Sequence, residues 1–278
     1  MDHADNATMV FSSKQKNSEI AMKLISLFGN SQKLDGGAMF GNVPKVLWQR
    51  WYPCDEQNRI HLQCRCLLVQ EDKRNILFES LAAHDLMPSD INIVVLSHLH
   101  FDHAGGLLSE YSDEHPSQLI FNNATYIVSE TAWQRAITPH PRDKASFIPG
   151  LAEQLKQSGR LSTVKGTRCA QLGDEYRFHY SDGHTPGMLL TEITTPDGPI
   201  VFAADLIPGT AWVHLPITMG YDRFPELLID EKRRLLSDLR QREGRLFFTH
   251  DPEVASGLVI QSDAGRYEAT NLQKDLNP

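Results

Sequence analysis

Apolar and β-branched runs recur along the chain, many of them separated by turn residues. They are HLQCRCLLV (61–69), NILF (75–78), INIVVLS (91–97), ATYIVS (124–129), YRFHY (176–180), LLTEITT (189–195), PIVFAA (199–204), GRLFFTH (244–250) and SGLVIQS (256–262). Their lengths and residue types predict strands. INIVVLS is continuously apolar, as a strand buried on both faces should be. Helical spacing falls between the runs, in ESLAAHDL (79–86), ETAWQRAI (130–137), FIPGLAEQLKQSG (147–159) and LLIDEKRRLLSDLRQREG (227–244). The last sets Leu235, Leu236 and Leu239 on one stripe and stops at a glycine. Strands in runs, with helices between the runs, predict two sheets covered by outer helices.

The opening residues are polar and aperiodic, and the ordered part begins at MKLISLF (22–28). This predicts a flexible N-terminal extension over 1–21 and one domain over 22–278. A length of 278 residues, 41% hydrophobic and 22% charged, suits one large globular domain. The formal charge of −8 comes without a Lys/Arg cluster, which argues against nucleic acid as a partner. No basic and apolar leader opens the chain, and no stretch reaches the ~20 apolar residues of a membrane span. A cytoplasmic protein with no membrane partner is expected. Four cysteines do not make a disulfide framework; Cys64 and Cys66 share one face of a strand and read as packed, reduced thiols.

The chemistry is concentrated in SHLHFDHAGG (97–106), directly after the INIVVL run. His98 and His100 are two apart, so in extended chain both imidazoles point to the same side. Asp102 and His103 follow, and Gly105 and Gly106 allow a tight bend. Burying four titratable groups at one bend without a partner costs several kcal/mol, whereas a divalent ion uses neutral imidazoles and a carboxylate as ligands. Further donors stand where other strands must end: His184 in SDGHTPGM, Asp205 in FAADLIP and His250 in RLFFTHDPE.

The pattern His98-x-His100-x-Asp102-His103, followed in order by His184, Asp205 and His250, closely resembles the metallo-β-lactamase superfamily over about residues 22–265. The resemblance implies an α+β fold, an αββα four-layer sandwich with two metals between the sheets. Carried over by position, His98, His100 and His184 hold the first metal, Asp102, His103 and His250 hold the second, and Asp205 bridges them. Zinc is the first expectation for both divalent ions, and iron, manganese or cobalt suit the same donors. A bridging hydroxide is then the expected nucleophile, and Asp102 is expected to pass its proton to the leaving group.

Within the superfamily, Asp205 disfavours branches with a bridging cysteine, His100 disfavours redox members with a carboxylate there, and the acidic chain disfavours RNA processing. LDGGAMFGNVPKVLWQRWYP (34–53), ITMGYDRFPELLIDEKRRLL (217–236) and FFTHDPE (247–253) resemble the subgroup of quorum-quenching N-acyl homoserine lactonases and methyl parathion hydrolase. That implies a small-molecule lactone or ester substrate, opened by hydrolysis, and a homodimer. Met39, Phe40, Trp48, Trp51, Trp212, Met219, Tyr221 and Phe224 supply apolar surface for an acyl or aryl group, and Tyr221 is the expected catalytic hydrogen-bond donor to the carbonyl. Two alternatives stay open: a phosphotriesterase or arylesterase with the same metals, and a non-catalytic metal-binding module. A thioester hydrolase of the glyoxalase II kind would need a basic carboxylate site, and none is apparent. One departure stands out. Where the family follows the NILF strand with an Asp-Thr-Gly turn and a loop, Phe78 runs straight into Glu79, expected to be a solvated helix-start residue.

Overall fold

A computed structural model describes residues 11–12, 21–79 and 87–276. Most of the expected N-terminal extension, and the helix expected over 79–86 apart from Glu79, lie outside the described residues. The first sheet runs in chain order through β1 (Phe11–Ser12), β2 (Ala21–Asp35), β3 (Arg59–Glu71), β4 (Arg74–Phe78), β5 (Ile93–Val95), β6 (Thr125–Ser129) and β7 (Leu161–Val164). Its pairs are antiparallel as far as β4 and parallel from β4 to β7. The second sheet comprises β8 (Tyr176–Ser181), β9 (Met188–Ile193), β10 (Ile200–Phe202), β11 (Arg245–Phe247), β12 (Ser256–Gln261) and β13 (Tyr267–Gln273), with only β10 and β11 parallel. The helices are α1 (Gly36–Phe40), α2 (Lys45–Trp48), α3 (Phe101–Ala104), α4 (Glu130–Ile137), α5 (Leu151–Gln157) and α6 (Pro225–Gln241).

The alternation of side chains along a strand explains the layering. Leu67 and Val69 of β3, Ile76 and Phe78 of β4, and Ile93 and Val95 of β5 join one core that also holds Phe178, Leu189 and Phe202 of the second sheet. Phe78 stacks across the sheets on Phe202, ring centroids 6.3 Å apart. Their neighbours Leu68, Leu77 and Val94 turn the other way, into a second core with Trp133 of α4 and Leu151 and Leu155 of α5. Helix α6 lays Leu228, Leu235, Leu236 and Leu239 on the second sheet. The α+β four-layer arrangement is therefore the observed one. No helix among the described residues is long and apolar enough to cross a membrane.

Strands β2, β7 and β13 are longer or additional relative to the hydrophobic runs. Polar residues such as Ser31, Gln32 and Lys33 keep the end of β2 from reading as a strand, yet it pairs with β3 as far as Asp35 and Arg59. The sheets meet elsewhere, where Arg65 N donates to Thr249 O at 2.8 Å and Leu189 N to Ser97 O at 2.9 Å.

Candidate metal centre

Each polar group that follows an apolar run lies just beyond the C-terminal end of a strand. After β5 the chain bends at Ser97 and runs to an extended His100, then turns into α3, where His103 N and Ala104 N donate to the His100 carbonyl. Asp102 and His103 are thereby folded back beside the first two imidazoles. His184 sits in the loop between β8 and β9. Glu231 of α6 holds that loop, accepting from Ser181 Oγ at 2.6 Å, Asp182 N at 2.9 Å and Gly183 N at 3.1 Å. Only glycine fits at 183, because a Cβ there would lie 2.5 Å from Leu228 Cα. His250 follows β11, and the buried Arg65 anchors the chain around it by donating to the carbonyls of Asp251 at 2.8 Å and Val254 at 3.1 Å.

All seven residues come together, in two groups. His98, His100 and His184 form one; Asp102, His103, Asp205 and His250 form the other, with donor atoms within 4.8 Å of one another inside each. In the first, His100 Nδ1 lies 3.0 Å from His98 Nε2 and 3.3 Å from His184 Nε2. In the second, Asp205 Oδ1 is 3.2 Å from His103 Nε2 and 3.3 Å from His250 Nε2. The other oxygen, Oδ2, reaches back to His184 Nε2 at 3.2 Å, so one carboxylate touches both groups.

The outward nitrogens fix which atoms face inward. His250 Nδ1 lies 2.8 Å from the Gln63 carbonyl, which can only accept, so Nδ1 carries the proton. In the neutral ring Nε2 is then a lone pair, aimed at Asp205. His184 Nδ1 is held likewise by Asp222 Oδ1 at 2.9 Å. Lone pairs and a carboxylate facing one another at 3.2–3.3 Å repel unless positive charge lies between them. His100 Nε2 and Asp205 Oδ1 are also buried without a well-formed hydrogen bond. This donor set fits divalent cations.

The titration behaviour divides the rings into two kinds. Burial, followed by the neighbouring imidazoles, pulls His98 well below the ordinary histidine value and His100 down to about 3. Burial also opposes charge on His103 and His250, but the carboxylates beside them, Asp205 foremost, outweigh it and hold both well above that value. Asp205 is itself held well below the carboxylate range, burial being outweighed by His103, His184 and His250.

Several expectations change. Glu79 is buried, not solvated: it accepts from Ser97 N at 3.1 Å and sets Oε2 3.5 Å from His103 Nδ1. Its φ of +67° gave no sequence signal, since a non-glycine residue seldom adopts it. Phe40, Trp48 and Trp212 do not line the cavity over the histidines. Phe40 stacks on both indoles, 5.6 and 4.5 Å between centroids, and all three are buried in the core. Trp51 is exposed beside a different hollow, with Tyr52 and Arg266. Met39, Met219 and Tyr221 do line the cavity over the histidines, about 270 Å³ in volume, along with Gln32, Leu34 and Leu62. Arg142 and Arg223 stand on its wall too, where no basic site was apparent from sequence. Asp222 was equally invisible, one aspartate among many until folding sets it on His184. Cys64 and Cys66 are buried thiols on β3, as expected.

A two-sheet sandwich with a histidine and aspartate cluster at its strand ends defines a class of metal-dependent folds, and comparison with known proteins narrows it. Residues 62–250 match the model of the metallo-beta-lactamase superfamily, and the chain belongs to that superfamily. An N-acyl homoserine lactonase of Bacillus thuringiensis is 27% identical over 169 residues, 60% of this chain and 58% of that protein. A Bacillus sp. N-acyl homoserine lactonase is 27% identical over 176 residues, 62% and 61% of the two chains. This chain therefore matches about three-fifths of the length of these relatives. Among solved structures, a probable metal-dependent hydrolase from Staphylococcus aureus superposes with a TM-score of 0.77 at 26% identity, over 90% of this chain and 97% of that one. A dizinc quorum-quenching lactonase bound to its homoserine product superposes with a TM-score of 0.71 at 20% identity, over 95% and 98%, a likeness of fold.

Proposed function

We propose that this protein is a dinuclear-metal hydrolase that opens lactones of the N-acyl homoserine lactone type. The observation that carries the reading is Asp205, whose two oxygens touch the two donor groups at the floor of one cavity. The 27% identity to N-acyl homoserine lactonases supports the substrate class. His98, His100 and His184 would hold one ion, Asp102, His103 and His250 the other, with Asp205 shared. When bound, such a pair supplies a water activated at neutral pH and a polarised ester carbonyl.

The chain's own residues do the rest. Asp222 and the Gln63 carbonyl hold the rings of His184 and His250 with their lone pairs inward. Leu34, Met39, Leu62 and Met219 exclude water and receive the acyl chain. Gln32 Nε2 donates to Asp102 Oδ2 at 3.3 Å, which steadies the carboxylate that takes the proton of the attacking water and delivers it to the departing alkoxide. Tyr221 donates to the carbonyl oxygen. Burial, with Asp35 and Asp102 adding to it, raises its pKa, so the phenol keeps its proton.

The test compares kcat/KM of the zinc-loaded protein on N-acyl homoserine lactones, aryl esters and a phosphotriester, read by proton release or chromophore. Preference for the lactone supports the reading. Preference for the phosphotriester or aryl ester moves the substrate class, and no turnover with metal bound leaves a binding module.

A further inference from the structure

The cavity wall opposite Leu34 and Leu62 carries charge that the hydrolytic chemistry does not use. Arg142 and Arg223 line it. The loop bearing Arg142 is docked at the metal centre, since His100 bridges to Phe147 and their rings pack edge to face at 5.1 Å. Arg223 is set equally firmly, its backbone N donating to His184 O at 3.2 Å.

Two guanidinium groups, those of Arg135 and Arg223, flank the Asp143 carboxylate here. Arg135 takes Asp143 Oδ2 with two hydrogen bonds, at 2.9 and 2.8 Å. Arg223 Nη1 comes no closer to that oxygen than 3.6 Å. Its Nε and Nη1 are buried without a hydrogen bond, its side chain being only 11% exposed, and Asp143 Oδ1 likewise lacks one. Arg142 is held by carbonyls, Gly220 O at 2.9 Å and Asp222 O at 3.4 Å, with no carboxylate of its own. The other cavity carboxylates, Asp102 and Asp205, face the histidines. Arg135, Arg142, Arg223 and Asp143 together carry an excess of two positive charges, and all of them but Arg135 line the cavity. A guanidinium in such surroundings is satisfied by a planar anion.

We propose that Arg142 and Arg223 form a subsite for an anionic substituent of the substrate, a carboxylate carried on the acyl portion at a distance from the scissile ester. This rests on the hydrolase reading above and narrows its substrate class from neutral acyl lactones to acidic ones.

Two lactones of equal acyl length test it on the zinc-loaded full chain: N-hexanoyl homoserine lactone and its analogue ending in a carboxylate, N-(5-carboxypentanoyl) homoserine lactone. The quantity read is the ratio of their kcat/KM values. We expect the acidic lactone to be favoured about tenfold or more at low salt, with the ratio falling as ionic strength rises. Arg142→Met combined with Arg223→Met should bring the ratio to one or below, and Arg223→Lys should keep part of it. A ratio at or below one in the unmodified protein, with the hexanoyl lactone turned over, overturns the subsite and leaves the hydrolase reading intact. If neither lactone is hydrolysed, the hydrolase reading fails and calorimetry decides the subsite. Tighter binding of the acidic lactone supports it; equal or weaker binding overturns it.

Discussion

Asp222 Oδ1 lies 2.9 Å from His184 Nδ1, across 38 residues of chain, and the same aspartate takes the Met219 N–H at 2.6 Å through its other oxygen. One carboxylate thus sets both the tautomer of a metal-facing imidazole and the course of the loop bearing Met219 and Tyr221. Such a partner is worth about 10–100-fold in metal affinity. Asp222→Asn should lower zinc affinity within that range in a chelator competition, because the amide can present its N–H to His184 and favour the wrong tautomer.

Glu79 acts on His103 through its charge. Its carboxylate is buried, fixed by Ser97 N, and 3.5 Å from the imidazole. Glu79→Gln keeps the shape and removes the charge. Stepwise chelation should then strip one ion roughly tenfold more readily than from the unmodified protein, the other being held as before.

Tyr221→Phe separates an oxyanion donor from a wall residue. If the phenol donates in the transition state, kcat falls about 10²–10³-fold with little change in KM. A loss under about threefold assigns Tyr221 to the wall.

Arg65 is predicted to matter for stability. Fully buried, it donates to Phe248, Asp251 and Val254 carbonyls from one guanidinium nitrogen. Arg65→Met strands those acceptors beside His250 and should cost roughly 3 kcal/mol in a urea titration of the metal-loaded protein.

A pH effect follows from Glu192, whose pKa falls to about 2. Burial opposes this but is outweighed by Arg242, bidentate at 2.8 and 2.7 Å, and by His179 at 2.8 Å. The folded-state pKa is depressed, so its stabilisation is present above the ordinary value of 4.5 and lost as pH falls from there toward about 2. Melting temperatures of Glu192→Gln should depend less steeply on pH across that window than those of the unmodified protein.

The seven clustered histidines and aspartates were legible because they stand at four places where a strand ends ahead of a breaker, a pattern visible in one dimension. The residues that orient them were not. Asp222 and Gln63 act through contacts made only after folding, Gln63 through its carbonyl, which any residue type could supply. Glu79 occupies a backbone conformation that sequence reading assigns to glycine. Aromatic content alone could not separate Trp48 and Trp212, which build the core beneath the cleft, from Tyr221, which faces it; that depended on how α1 and α2 pack. Arg142 and Arg223 are 81 positions apart and became a pair only through the fold.

The central claim is a two-ion centre built from two donor groups that share Asp205. Elemental analysis after dialysis against excess zinc tests it most directly. About two ions per chain are expected in the unmodified protein and about one in Asp205→Ala or His250→Ala. A stoichiometry that does not exceed one ion per chain in the unmodified protein at saturating zinc would contradict it.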